Sequence, residues 1–236
     1  VTAVVMLAEV VFASVSSVLI AGEVLTPRTL LKGSLGLYSQ APDPLSFYEP
    51  PFGNPKITFE RAFQTSLGVE HQFNDVLNLD VTGFFNRRFD LLVRPGRIIE
   101  GEDGSVTREA IANDGLGRAY GLEVMLRHEV TREFFGWIAY TFSRSEVRLR
   151  GEDGYDPSSF DQTHILTAVG SYRLPWWGLE VGARFRHATG RPTRGLIGGA
   201  DLYRVDGNAY LGSFTDATAR RFRAFNQLDL RVDRSR

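Results

Sequence analysis

The stretch Leu77-Asn-Leu-Asp-Val-Thr-Gly-Phe-Phe-Asn-Arg-Arg-Phe89 decides the fold. Leu77, Leu79, Val81, Phe85 and Phe89 fall on one side of an extended chain and Asn78, Asp80, Thr82, Asn86 and Arg88 on the other, since successive side chains of a strand point to opposite faces. Two further segments repeat the pattern. Tyr120, Leu122, Val124 and Leu126 oppose Gly121, Glu123, Arg127 and Glu129, and Leu179, Val181, Ala183 and Phe185 oppose Glu180, Gly182, Arg184 and Arg186. Each strand has one apolar face and one charged face, as in a soluble sandwich wetted on one side or a membrane barrel with a wet lumen.

Working outward, the same reading finds eight candidate strands at about 29–38, 62–73, 77–89, 118–130, 134–149, 161–173, 178–190 and 223–234. The connections at 74–76, 131–133 and 174–177 are tight, whereas those at 39–61, 90–117, 150–160 and 191–222 are long and rich in Gly, Pro, Asp and Tyr. Short and long connections alternate, which puts all turns at one end of the sheet and all long loops at the other. Outer-membrane barrels have this asymmetry; a sandwich or lipocalin has no reason to sort its loops by length. The segments also reach the roughly 9–11 residues a tilted strand needs to cross a hydrocarbon core. Aromatics near segment ends (Tyr38, Phe73, Phe134, Phe135, Trp137, Tyr172, Trp176, Trp177) suit an interfacial girdle, although β-propensity alone would also place them there.

Composition narrows the function classes. A net charge of −1 gives no reason to expect nucleic acid as a partner, and the absence of cysteine removes disulfide frameworks, thiolate metal sites and cysteine nucleophiles. Gly115, Gly117 and Gly121 are spaced wrongly for a dinucleotide fingerprint and lead into a strand. His71, His128, His164 and His187 have no metal-ligand spacing and fall near one rim of the expected sheet; no nucleophile signature is present, so no catalysis and no cofactor is expected. The tetrapeptide Gly-Glu-Asp-Gly occurs at 101–104 and 151–154 and reads as turn chemistry, with no EF-hand spacing around it.

Candidate functional residues form two groups. The charges Glu70, Glu123, Arg127, Glu129, Glu180, Arg184, Arg186, Asp229 and Arg231 would share the polar face, on its concave side, and line a lumen, because burying them in a dry core would cost several kcal/mol each. Leu79, Val81, Leu122, Val124, Leu126, Val181, Phe185, Leu228 and Leu230 would then face lipid. In the long loops, Phe47, Tyr48, Phe52, Arg191, Arg194, Tyr203, Tyr210 and Phe214, with Arg204, Arg220 and Arg221, combine aromatic and guanidinium groups suited to a planar or anionic ligand such as a metal chelate. Surface loops of any outer-membrane protein have a similar composition.

Residues 1–25 stand apart. The run from Ala3 to Ala21 is almost wholly apolar, with Glu9, Ser14, Ser16 and Ser17 as interruptions. It fits a transmembrane helix by length, or a signal-like segment without a basic start or cleavage site, or a foreign start joined to the barrel at about Leu25, the last being preferred.

The stretches Thr29–Pro42, Pro55–Phe73, Gly117–Glu123, Gly136–Ser143, Phe160–His164 and Gly190–Pro192 resemble the barrel of TonB-dependent outer-membrane receptors, a resemblance that covers about residues 26–234. That resemblance implies an all-β antiparallel meander of about eight transmembrane strands, forming a partial, open segment of a large outer-membrane barrel. The family's barrel has twenty-two strands around a plugged lumen. No plug and no box for the energy-coupling protein is recognisable, and Arg236 stops short of the family's terminal aromatic, so the chain reads as the C-terminal part of such a barrel. Implied partners are outer-membrane lipid, the remaining strands and plug, the TonB protein through regions not recognised here, and a small-molecule or metal-chelate ligand such as a ferric siderophore. A complete eight-stranded barrel with a structural or adhesive role and a soluble ligand-binding barrel are the alternatives; pairing of the first with the last strand would favour the former.

Overall fold

The computed structural model describes residues 13–43, 54–93, 98–100, 106–108, 111–151, 153–176, 178–193, 196–197, 203–204, 209–210, 213–214 and 220–234. Nine long strands succeed one another: β1 (Ala13–Thr26), β2 (Thr29–Gln40), β3 (Glu60–Gln72), β4 (Leu77–Val93), β5 (Ala112–His128), β6 (Phe134–Leu149), β7 (His164–Arg173), β8 (Leu179–Ala188) and β9 (Phe225–Arg234). Each pairs antiparallel with the next, and Asp156–Pro157 pairs on the side of β6. β1 and β9 are the two ends of the strand order, so the sheet is open. Among the described residues there is no helix, and no helix long and apolar enough to cross a membrane, which says nothing about crossing by strands.

The eight expected strands are found, with ends displaced by a few residues. The difference lies at the start of the chain. The segment set apart as helix, signal or foreign start supplies β1 from Ala13, zipped to β2 from Ala13↔Gln40 to Thr26↔Thr29 around the tight turn Pro27-Arg28. The register slips between Val15 and Ser17 and again between Val24 and Thr26. Each slip inverts which residues share a face, so no two-residue alternation runs through this strand and the sequence hides it.

The turns meet along one rim through backbone hydrogen bonds. Gln72 N donates to Arg28 O (2.8 Å), Glu129 N to Val76 O (2.7 Å) and Arg173 N to Glu133 O (2.7 Å). Asn74 builds its turn by accepting from Val76 N and Leu77 N at 3.0 and 2.9 Å, the local side-chain bonding that makes asparagine a turn residue. The described ends of the long connections lie at the opposite rim. There Arg150 N donates to Asp114 O, Thr189 N to His164 O and Phe222 N to Arg191 O. One copy of Gly-Glu-Asp-Gly turns the chain here with Gly151 and Gly154 at φ 89° and 96°, where a side chain would be strained. Asp90 takes φ 55° at a register break in β4, and its carbonyl accepts from Asn113 Nδ2 at 2.7 Å. This bulge is where β4 and β5 pass from sheet into the loop rim.

The ladder register fixes the faces. From β3 across to β9, Val69, Val81, Val124 and Tyr140 are consecutive partners, as are Tyr172, Val181 and Val232, and Phe185 pairs with Leu228. All nine residues expected to face lipid lie on this one side. It is left open: Leu67 is 62% and Leu230 73% exposed, and Ile138, Leu122, Val181, Leu228 and Val232 are exposed with them. Among the described residues no second layer covers the sheet, and buried apolar side chains such as Leu91, Ala112 and Ile57 sit at the loop rim. An apolar expanse of this extent is untenable in water and matches a hydrocarbon solvent.

All four histidines lie on the apolar face at its borders, two at each rim and not at one as the sequence reading had it. His71 accepts or donates with Thr29 Oγ1 at 2.9 Å and meets Phe73 edge-on at 4.8 Å; His128 meets Phe134 at 5.0 Å. His164 bonds Tyr140 Oη at 2.8 Å and His187 bonds Asn226 Oδ1 at 2.8 Å, both at the loop end. Half-polar rings at both borders of an apolar band are an interfacial arrangement.

Candidate functional site

The polar face carries a network strung across adjacent strands. Lys32 on β2 reaches Glu70 Oε2 on β3 at 3.1 Å and Asp80 on β4, while Thr82 Oγ1 donates to Asp80 Oδ1 at 3.0 Å. Glu123 stands opposite Thr82 in the ladder, on the same face. Nearer the turns, Asn78 Nδ2 donates to Glu129 Oε1 (3.1 Å) and Arg127 Nε pairs with the same oxygen at 2.8 Å. A shallow cleft opens among Glu70, Asn78, Asp80, Met125 and Arg127.

The far half of this face is built the same way. Glu180 accepts from Ser171 Oγ at 2.6 Å and pairs with Arg173 at 3.6 Å. Arg184 lies opposite Asp229, Arg186 opposite Gln227 and Gly182 opposite Arg231, which is ion-paired to Asp233. The nine charges singled out from the sequence therefore share one face by register. Lys32, Asp80, Arg173 and Asp233 belong to it as well. Lys32 was legible in principle, since Lys32, Ser34 and Gly36 alternate with Leu31, Gly33, Leu35 and Leu37. Half-exposed pairs of this sort contribute little stability individually; their consequence is a face that presents both signs of charge to whatever fills the space beside it.

At the loop rim the centre is Asp161, fully buried. Its Oδ1 accepts from Ser145 N at 2.7 Å, its Oδ2 pairs with Arg221, and Arg144 approaches to 4.0 Å. Arg221 Nη1 also donates to the carbonyls of Asp161 and Gly190, each at 3.1 Å. Arg221, one of the loop arginines singled out from the sequence, ties the last long connection to the loop before β7. Arg191 is exposed and lies over the Phe160 ring at 5.7 Å. Tyr203 faces Tyr210 and Leu196 faces Phe214 across two short backbone pairings. Phe47, Tyr48, Phe52 and Arg194 lie outside the described residues. Among the described residues no group of His, Asp and Glu is gathered to hold a metal ion.

A model of the TonB-dependent receptor-like β-barrel matches residues 15–235. The chain belongs to the TonB-dependent receptor β-barrel family. The match takes in nearly all of β1, which the sequence reading had set apart. No curated protein matches the chain. Among solved structures, the siderophore receptor PirA from Acinetobacter baumannii is similar over 91% of this chain and 34% of its own (TM-score 0.66, 16% identity). The FrpB iron transporter from Neisseria meningitidis is similar over 92% of this chain and 32% of its own (TM-score 0.60, 16% identity). The ferric-catecholate import receptor Fiu from E. coli K12 is similar over 91% of this chain and 28% of its own (TM-score 0.60, 17% identity). The chain thus spans about a third of the length of these receptors, as a partial barrel. Membership places this TonB-dependent receptor barrel in the outer membrane, with the apolar face toward lipid.

Proposed function

We propose that this chain is the part of a TonB-dependent receptor that carries lumen wall and ligand-side loops, in a protein that takes up a scarce metal as its organic chelate, of the ferric siderophore class. The observation that carries the reading is the two-faced open sheet: an unbroken apolar side, a side of paired charges, and free edges at β1 and β9. Charges of both signs on the inner side suit a wide polar lumen occupied by a plug rather than a packed core. On this reading Glu123, Arg127, Glu129, Glu180, Arg184, Arg186, Asp229 and Arg231 face the lumen, further strands of the parent receptor pair with β1 and β9, and the plug and the energy-coupling protein act through other regions. Arg191, Arg194, Tyr203, Tyr210, Phe214, Phe47, Tyr48 and Phe52 would offer rings and guanidinium groups to an anionic aromatic chelate. Solved relatives named for siderophores and iron support the class.

The test is uptake. Cells lacking other receptors and expressing the complete receptor should accumulate a radiolabelled ferric catecholate, and a protonophore should abolish this. Failure of every ferric chelate to be accumulated, with the receptor present in the outer membrane, would contradict the proposal.

A further inference from the structure

The last long connection leaves β8 through Gly190, Arg191, Pro192 and Thr193 and returns to β9 through Arg220, Arg221 and Phe222. Its two arms pair with each other: Thr193 N donates to Arg220 O at 3.0 Å, Phe222 N to Arg191 O at 2.9 Å, and Pro192 stands opposite Arg221 between these two bonds, where its missing N–H costs nothing. Gly190 lies so near the Phe222 backbone that a Cβ there would overlap Phe222 O. Two backbone bonds alone make a marginal ladder. The Arg221 side chain reinforces it, donating to Gly190 O and Asp161 O and pairing with the Asp161 carboxylate.

The preceding connection, between β6 and β7, is rooted at the same buried carboxylate. Asp161 Oδ1 accepts from Ser145 N on β6, Arg144 of β6 stands 4.0 Å from Oδ2, and Ser158 Oγ donates to Ser145 Oγ at 2.8 Å. Gln162 Nε2 reaches across to Thr189 O at 3.2 Å. β6 and both connections are thus locked around one carboxylate by charge-assisted bonds, which are strong where water is excluded. The lock has an exposed product. Phe160, beside Asp161, is 56% exposed, and Arg191, beside Gly190, sets its guanidinium over that ring at 5.7 Å. Arg191 is in no ion pair among the described residues. A cation–ring stack in solvent is too weak to fix two connections, so the lock sets the stack and not the reverse.

We propose that Arg191 and Phe160, one from each connection, form a single contact site for the ligand, and that Asp161 is its positioning residue, acting through Arg221. The exposed ring offers a stacking surface and the unpaired guanidinium offers donors in one plane, so the matching group is an anion carried on an aromatic ring, such as a catecholate or an aromatic carboxylate. Holding the two groups in place beforehand spares the ligand the cost of ordering two loops. The contact rests on the uptake reading given above; the lock does not.

Lock and contact are tested separately on the complete receptor. Asp161→Asn keeps an acceptor for Ser145 N and removes the charge that holds Arg221, and Arg221→Gln removes the other half. Amide exchange at 190–193 and 220–222 should quicken about tenfold in either variant and no further in the double variant, with β6 through β8 unchanged. Binding of the ferric tris-catecholate complex, read by fluorescence quenching, should weaken about tenfold in both, and at least as much in Arg191→Gln and Phe160→Ala. In cells the half-saturating concentration for uptake should rise while the maximal rate holds. Arg150→Gln, at the same rim but paired with Asp90, should bind as wild type does. Unchanged exchange in the two lock variants, or additive effects in the double variant, would overturn the lock. Wild-type affinity in Arg191→Gln and Phe160→Ala would overturn the contact and leave the uptake reading standing. A wild-type receptor that binds no ferric chelate would overturn both of these, with exchange still deciding the lock.

Discussion

Two neighbouring residues on β5 put the membrane reading in its smallest form. Val124 lies on the lipid side between Val81 and Tyr140, midway along the apolar band, while Glu123 lies on the polar side opposite Thr82 and Thr141. Replacing Val124 by Arg should cost about 2–4 kcal/mol near the bilayer midplane. Glu123→Gln should cost little, and urea unfolding in lipid vesicles measures both. At the loop rim, Asp161→Ala strips Ser145 N and Arg221 of their acceptor and should destabilise the barrel by about 1.5–3 kcal/mol on the same assay. Asp161→Asn should lose less, since its amide oxygen still accepts from Ser145. The polar-face charges were legible because two-residue alternation assigns them. Asp161 was not, because its role depends on Ser145 and Arg221 arriving from elsewhere in the chain. The pairing of Arg221 was hidden for the same reason: composition shows a loop arginine, not the carboxylate beneath it.

Elements with an intact phase were readable and those with a broken phase were not. β4 through β8 hold their register over most of their length, so the pattern of Leu79 and Val81 or of Leu122 and Val124 fixes both strand and face. β1 slips twice, and an apolar run with scattered serines then looks like a helix or leader. The slip itself is the physical reason, because a shift of one residue exchanges the faces. β1 should therefore behave as a strand of the barrel, with amide exchange in the complete receptor as slow as in β2; rapid exchange throughout 13–26 would show it detached. At the turns, Asn74→Ala removes two side-chain acceptor bonds and should cost about 1 kcal/mol without altering the sheet.

The whole molecule is a wall, not a core. Its energetics come from ladder hydrogen bonds and from a solvent matched to each face, and the free edges of β1 and β9 are tolerable in lipid only if paired. The sequence carried the meander, the sorting of turns from loops and the sidedness, since these follow from local pattern. It did not carry the extent of the apolar band, which becomes visible only when the register sets Phe85 beside Tyr120 and Leu122 beside Phe142. The account's central claim is that alternate residues of one strand face lipid and lumen. The chain itself has no cysteine, so single cysteines at 122 through 126, in a complete receptor cleared of any cysteine elsewhere, can be spin-labelled in vesicles. Labels at Leu122, Val124 and Leu126 should collide with dissolved oxygen more than with a water-soluble nickel chelate, and labels at Glu123 and Met125 should show the reverse ratio. A ratio without two-residue alternation, or with the opposite phase, would contradict the account.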